Sequence, residues 1–273
     1  MKRRASRRNG FSLIELMTAL AILVLVCGVA FELLFMSMKK YHSDSQLLNT
    51  FQEARFGLDQ MVRDINDSGY PPRNQTQGNV TPMPETYAVT PFAWGPSGTY
   101  PNSPCAIGSN CTTPNGYDLI VETDIDPQNK NYVEWVRYKL IGTTLYRGVI
   151  TKSNSTTSDP DGLTSGFDVL VPYVQNVMNK PPAAQLATLQ AAHPTMYPGG
   201  NPVPIFQYFC ESTPQPVKCD GTGVGPPPTY SDPKHVVAVI ITLIVQSPAS
   251  DMQTGQPLVV QLQGEGRRVN PDY

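Results

Sequence analysis

No proline interrupts residues 11 to 68, although the chain carries 27 prolines among its 273 residues. A proline inside a helix removes a backbone donor and clashes with the preceding turn, so a stretch this long without one permits a single continuous helix. The end of the stretch is marked as clearly as its length. Gly69 can supply the left-handed backbone that follows a helix, and Tyr70-Pro71-Pro72 cannot continue one, so the helix is expected to end near Ser68. Its first part, 11 to 36, is apolar all round and long enough to cross a bilayer. Its second part, 37 to 69, turns amphipathic. There Leu47, Phe51, Ala54, Leu58, Met61 and Ile65 recur at steps of four and three and form one stripe, while Gln52, Glu53, Arg55, Asp59, Gln60, Arg63 and Asp64 fill the rest of the surface.

The charges around the apolar part set its topology. Lys2, Arg3, Arg4, Arg7 and Arg8 precede it with no acid among them, which holds the N-terminus in the cytoplasm and sends the chain beyond the apolar run outward. An ordinary secretory signal carries its cleavage site after the apolar core, but the stretch from Glu32 to Lys39 offers no small-residue site, so any cleavage lies before the core. One carboxylate, Glu15, stands a few residues into the run. An acid at membrane depth opposes insertion by roughly 2.5 to 3.5 kcal/mol, so Glu15 needs a cationic partner. Glu32 lies roughly 31 Å along a helix from Phe11, about one hydrocarbon thickness, and marks the outer interface.

The junction Gly10-Phe11-Ser12-Leu13-Ile14-Glu15-Leu16 resembles the class III leader junction of type IV prepilins and of type II secretion pseudopilins. The resemblance implies that residues 1–10 are a leader, that a prepilin peptidase cuts between Gly10 and Phe11, and that the new amino group of Phe11 is methylated. It supplies the cation that Glu15 lacks: in a filament the N-terminal ammonium of one subunit meets Glu15 of its neighbour. A buried pair is far better than a buried lone charge, and it fixes register. The stretch Glu53 to Ile65, followed by Gly69-Tyr70, is similar to PilW-type minor pilins and the related J-type pseudopilins. The function so implied is that of a minor type IV pilin, a structural subunit that primes or modifies a pilus; the J-type pseudopilin of a type II secretion system is the alternative. An uncleaved single-pass sensor or adhesion protein is a reading from a different class. The implied partners are the prepilin peptidase, other major and minor pilins through the helix, and the inner membrane before assembly into the pilus fibre. Where major pilins often carry a helix-breaking proline, this chain has Glu32, which argues against local melting.

Residues 70–273 read as an extracytoplasmic β-rich head with long Pro-, Gly- and Ser-rich loops. Strands are expected at 117–123, 132–141, 144–150, 167–174, 204–209, 235–246 and 257–263. Gly142-Thr143 fits a tight hairpin turn. Val236 to Ile241 is apolar on both faces and should be a central strand covered by the long helix. A short helix is possible at 183–192. The fold class expected is α+β, a pilin-like lollipop in which the long helix packs on an antiparallel β-sheet head.

Of five cysteines, Cys27 falls in the apolar run, and Cys105, Cys111, Cys210 and Cys219 fall in the head. Four cysteines in an exported domain allow two disulfides in three connectivities, of which the local pairing 105–111 and 210–219 is expected. Removing the leader cations leaves 15 basic side chains against 22 acidic, a net charge of −7. An acidic exported part disfavours nucleic acid as a partner, and Arg267-Arg268 reads as a solvated edge. His42, His193 and His235 have no nucleophile elbow beside them, so no enzyme, catalytic residue, metal or cofactor is expected. Asp124, Asp126 and Asn129, like Asp159 and Asp161, read as turns rather than calcium loops, because neither stretch has EF-hand spacing.

Overall fold

The computed structural model describes residues 12–72, 86–95, 100–127, 132–152, 170–222, 230–250 and 255–269. Gly10, Phe11, Asn129, Asp159, Asp161 and the expected strand start at 167–169 lie outside the described residues. Helix α1 runs without a break from Leu13 to Asn66, 54 residues. It stops two residues before Ser68: the Asp67 N–H donates to Arg63 O at 2.9 Å, and Gly69 then takes φ 79°. That left-handed value is the one glycine tolerates without strain.

The head contains two antiparallel sheets rather than one. Strands β1 (Phe92–Ala93), β2 (Asp118–Thr123), β3 (Glu134–Ile141), β4 (Thr144–Thr151) and β5 (Val171–Val174) form the first in that spatial order. The second comprises β6 (Phe206–Cys210), β7 (Val217–Lys218), β8 (Val236–Ser250) and β9 (Pro257–Arg267), in the order β7-β6-β8-β9. Strands β3 and β4 close through Gly142-Thr143, with Ile141 paired to Thr144 and Gly142 at φ 61°. The apolar Val236–Ile241 run does sit centrally, between β6 and β9. Helix α2 occupies Ala183–Ala192.

The amphipathic half of α1 lies across both sheets. Ala54, Leu58, Met61 and Ile65 share one buried cluster with Leu119, Val121 and Tyr138 of the first sheet and with Val239, Ile241 and Leu243 of the second. Missing side chains allow this close approach. A Cβ on Gly266 would lie 2.6 Å from Ile65 Cγ2, one on Gly264 would lie 3.0 Å from Leu58 Cδ1, and one on Gly57 would strike Val174. A second cluster, Ala93, Trp94, Tyr100, Cys105, Ile120 and Trp135, forms on the first sheet away from the helix. A third, with Met178, Leu189, Tyr197, Ile244 and Val259, anchors α2. Asn179 ties that lobe to β8 by acting as a surrogate strand: its Nδ2 donates to Thr242 O at 2.8 Å and its Oδ1 accepts from the Ile244 N–H at 2.8 Å.

Two surface expectations fail. Asp64 does not lie on the polar surface of α1: it is 4% exposed, turned to the first sheet and bonded by the Tyr138 hydroxyl. Arg268 is not a solvated edge residue: its side chain is 3% exposed, donates to Lys234 O at 2.9 Å and pairs with Glu211 at 3.1 Å. Arg267, by contrast, is 77% exposed beside Glu265. Alternation along β9 puts the two neighbours on opposite sides, and only one of those sides is covered.

Candidate functional site

Among the described residues one helix is long and apolar enough to cross a membrane, and it is the N-terminal part of α1. Every residue from Leu13 to Met36 is exposed, including Leu13 at 77%, Leu25 at 70% and Phe35 at 64%. Water-soluble monomers do not leave so large a contiguous apolar surface bare, so this half must be covered by lipid or by other chains. Cys27 is exposed there with the rest.

Glu15 occupies the first turn of α1. Its carboxylate accepts the Ser12 N–H at 3.0 Å, and the Leu16 N–H donates to Ser12 O at 3.2 Å. This is the return arm of a capping box, in which the third helical residue satisfies an orphan donor at the helix start. The positive end of the helix dipole favours an anion at the same place. Sequence reasoning pointed Glu15 toward a cation and missed this nearer partner, although the spacing Ser12-x-x-Glu15 is the signal for it. Within one subunit the acid is thus held at the helix start but left exposed.

The other half of α1 is fastened to the head by polar contacts as well as by packing. Asp64 accepts from the Tyr138 hydroxyl at 2.5 Å, from Gln60 Nε2 at 2.7 Å and from Arg147 Nη2 at 3.1 Å. Burial, and then the Asp64 charge, push the Tyr138 hydroxyl well above the usual tyrosine value, so it stays protonated and donates. Glu53 accepts the Gln175 N–H at 2.9 Å, and Asn66 Oδ1 accepts the Arg267 N–H at 2.8 Å. Nearer the apolar half of α1, the Ser43 hydroxyl reaches Ser250 O at 3.4 Å, so the β8–β9 ribbon extends along the helix well beyond the core.

Inside the head, Cys105 is bonded to Cys111 and Cys210 to Cys219. The first bridge closes the loop that covers Trp94 and Tyr100; the second joins the end of β6 to the residue after β7. Between the two bridged loops lies a cleft of about 470 Å³ lined in part by Ile107, Asn115, Phe206 and Asp220. Its polar groups serve turns: Asn115 Oδ1 accepts the Tyr117 N–H at 2.7 Å, and Asp220 Oδ1 accepts the Thr222 N–H at 2.9 Å.

A buried ion pair was missed in the sequence. Lys152 Nζ contacts Glu122 Oε1 with both side chains at 1% exposure or less, and the same carboxylate accepts the Tyr100 hydroxyl and the Val89 N–H. The only signal was an acid following Leu119-Ile120-Val121 in an apolar strand. Asp126 donates its N–H to Asp124 Oδ1 at 3.0 Å, which is turn chemistry. His235 Nδ1 lies 2.9 Å from Asp232 and its ring stacks on Tyr230 at 4.0 Å, whereas His42 stands on the exposed face of α1. Among the described residues no three His, Cys, Asp or Glu side chains gather as metal ligands.

No curated protein and no solved structure matches the chain. Residues 5–31, which include the Gly10-Phe11 junction and Glu15, match the family model of the prokaryotic N-terminal methylation motif, and with the exposed apolar helix this supports a pilin-like or pseudopilin-like protein, processed by a prepilin peptidase and assembled with other pilins.

Proposed function

We propose that the chain is a minor type IV pilin, a structural subunit that enters or primes a pilus at low copy. The observation that carries this reading is the methylation-motif match on a helix whose apolar half none of the described residues covers. In this account residues 1–10 are removed in the inner membrane and Phe11 becomes the methylated N-terminus. Residues 11–36 serve first as anchor and then as filament core, and 37–69 carry the head. Assembly exchanges one apolar environment for another, so the directional term comes from charge. The Glu15 carboxylate leaves or shares its Ser12 donor to meet the N-terminal ammonium of a neighbouring subunit. In hydrocarbon surroundings an unpaired partner would be strongly penalised, which makes the pair a register mark.

Mass spectrometry of the membrane-extracted protein tests the processing: a mature chain beginning at N-methylated Phe11 is expected. An intact Met1 start in cells that possess the peptidase would overturn the reading. Recovery of the chain in sheared pili supports the pilus. Its absence from pili, together with a secretion defect in the deletion strain, would instead assign it to a type II pseudopilus.

A further inference from the structure

The apolar run of α1 ends on a pair of cations. No lysine or arginine occurs between Arg8 and Lys39, where Lys39-Lys40 is followed at once by Tyr41. Both lysines are exposed and neither forms an ion pair among the described residues, and Tyr41 is 77% exposed. The nearest acids on the helix are Asp44, one turn beyond Lys40 and about 140° round from Lys39, and Glu32, about 10 Å back along the axis. At the level of Lys39 the β8–β9 ribbon lies beside the helix and leaves a cleft of about 430 Å³, lined by Met38, Lys39, His42, Ser43, Ala249 and Ser250. The Ser43 hydroxyl fixes its wall by donating to Ser250 O at 3.4 Å. The lining is amphiphilic: Met38 and Ala249 are apolar, while Lys39 and His42 carry N–H donors.

We propose, resting on the reading of residues 11–36 as the membrane anchor, that this cleft seats the phosphate-bearing headgroup of an anionic phospholipid from the leaflet on the head's side. Height, charge and shape select that occupant. The helix rises about 36 Å from Glu15 to Lys39, more than the ~30 Å of hydrocarbon and less than the ~40 to 45 Å of a bilayer with its headgroups. Lys39 and Lys40 therefore stand in the headgroup layer, where unpaired lysines attract anionic lipid. Their long stems lie along apolar surface while the ammonium groups reach a phosphate. Tyr41 belongs at the same layer, with its ring against the lipid and its hydroxyl in water. A free phosphate ion has no use for Met38 and Ala249. A phospholipid uses both parts of the lining, its phosphate on Lys39 and His42 and its first methylenes on Met38. The seat holds the near end of the β8–β9 ribbon on the bilayer, so leaving the membrane for a filament requires release of this lipid.

The test is photo-crosslinking of the full chain in vesicles of one part phosphatidylglycerol to three parts phosphatidylethanolamine, with the photoreactive residue in place of Ser250 and, separately, in place of Leu23. Adducts at position 250 are expected to be phospholipids by mass, with phosphatidylglycerol enriched severalfold over its share of the vesicle. Lys39→Gln together with Lys40→Gln should return that enrichment to the bulk proportion with the thermal midpoint of the head unchanged. Millimolar inorganic phosphate should leave it in place. No lipid adduct at 250, phosphatidylglycerol at its bulk share, or an enrichment indifferent to the two lysines sinks the inference if position 23 still captures acyl chains; the anchor reading then stands. Loss of the enrichment to inorganic phosphate would show a site for free anions and overturn the lipid seat. Failure at both positions removes the anchor reading with it.

Discussion

From Leu13 to Met36 every side chain of α1 is exposed, whereas from Thr50 to Ile65 the helix buries Thr50, Ala54, Gly57, Leu58, Met61, Asp64 and Ile65. The two regions belong to one uninterrupted helix, so backbone geometry does not separate them. Their partners do. The outer region contributes to folding, because its apolar stripe completes the core that both sheets share. The inner region gains nothing from folding, and its burial is deferred to lipid and to other chains. Damage to one region should then leave the other largely intact, and this separation can be broken or sharpened by experiment.

The largest effect is expected deep in the head. Lys152→Met leaves the Glu122 carboxylate buried without its cation and should cost about 3 to 5 kcal/mol, read by chemical denaturation of the head, with membrane insertion unchanged. Replacing Cys210 and Cys219 together by serine reopens a short loop and should cost about 2 to 3 kcal/mol by the same measurement. Asp64→Ala detaches α1 from Tyr138 and Arg147. Because the Arg147 side chain is 21% exposed and can turn to water, the expected cost is smaller, about 1 to 2 kcal/mol.

Alkaline pH should act on the head alone. Burial raises the Tyr197 hydroxyl to about 12 and holds those of Tyr100, Tyr138 and Tyr208 well above the usual value. The folded state keeps these protons where the unfolded chain has lost them. Their contribution is complete below the unfolded value near 10 and declines as pH rises toward 12. Circular dichroism of the head should show stability falling across that window, and a flat profile would contradict the burial. The smallest effect on the head belongs to Glu15→Ala: no change in denaturation midpoint is expected. Incorporation into filaments should nevertheless drop by an order of magnitude or more. A shifted midpoint would show that the two regions are coupled after all.

The long helix was legible because its two signals, absence of proline and a change from all-round to one-sided apolarity, are local. So was the centre of the second sheet, since Val236–Ile241 is apolar on both faces, and so was the Gly142 hairpin. The division of the strands between two sheets was not legible, because pairing such as Phe206 with Ile241 is set by distant segments. Strands β1 and β7 are two residues each, too short to show alternation. Arg268 misled for a related reason: the Glu211 and Lys234 that enclose it come from other parts of the chain. At the candidate site, Glu15 stood out by its apolar surroundings, but its bond to Ser12 required attention to the helix start rather than to the membrane.

The glycine-lined contact between α1 and β9 also has a mechanical meaning. Gly264 meets Leu58 and Val62 while Gly266 meets Ile65, so the strand runs in the same direction as the helix, and the ribbon continues down to Ser43. The attachment therefore extends along about 33 Å of the helix axis. Tension applied along α1 loads this seam in shear, with its contacts sharing the force together, whereas a sideways pull would peel them apart one after another. If the chain is a filament subunit as proposed, it is built to resist pulling along the axis on which a filament is pulled.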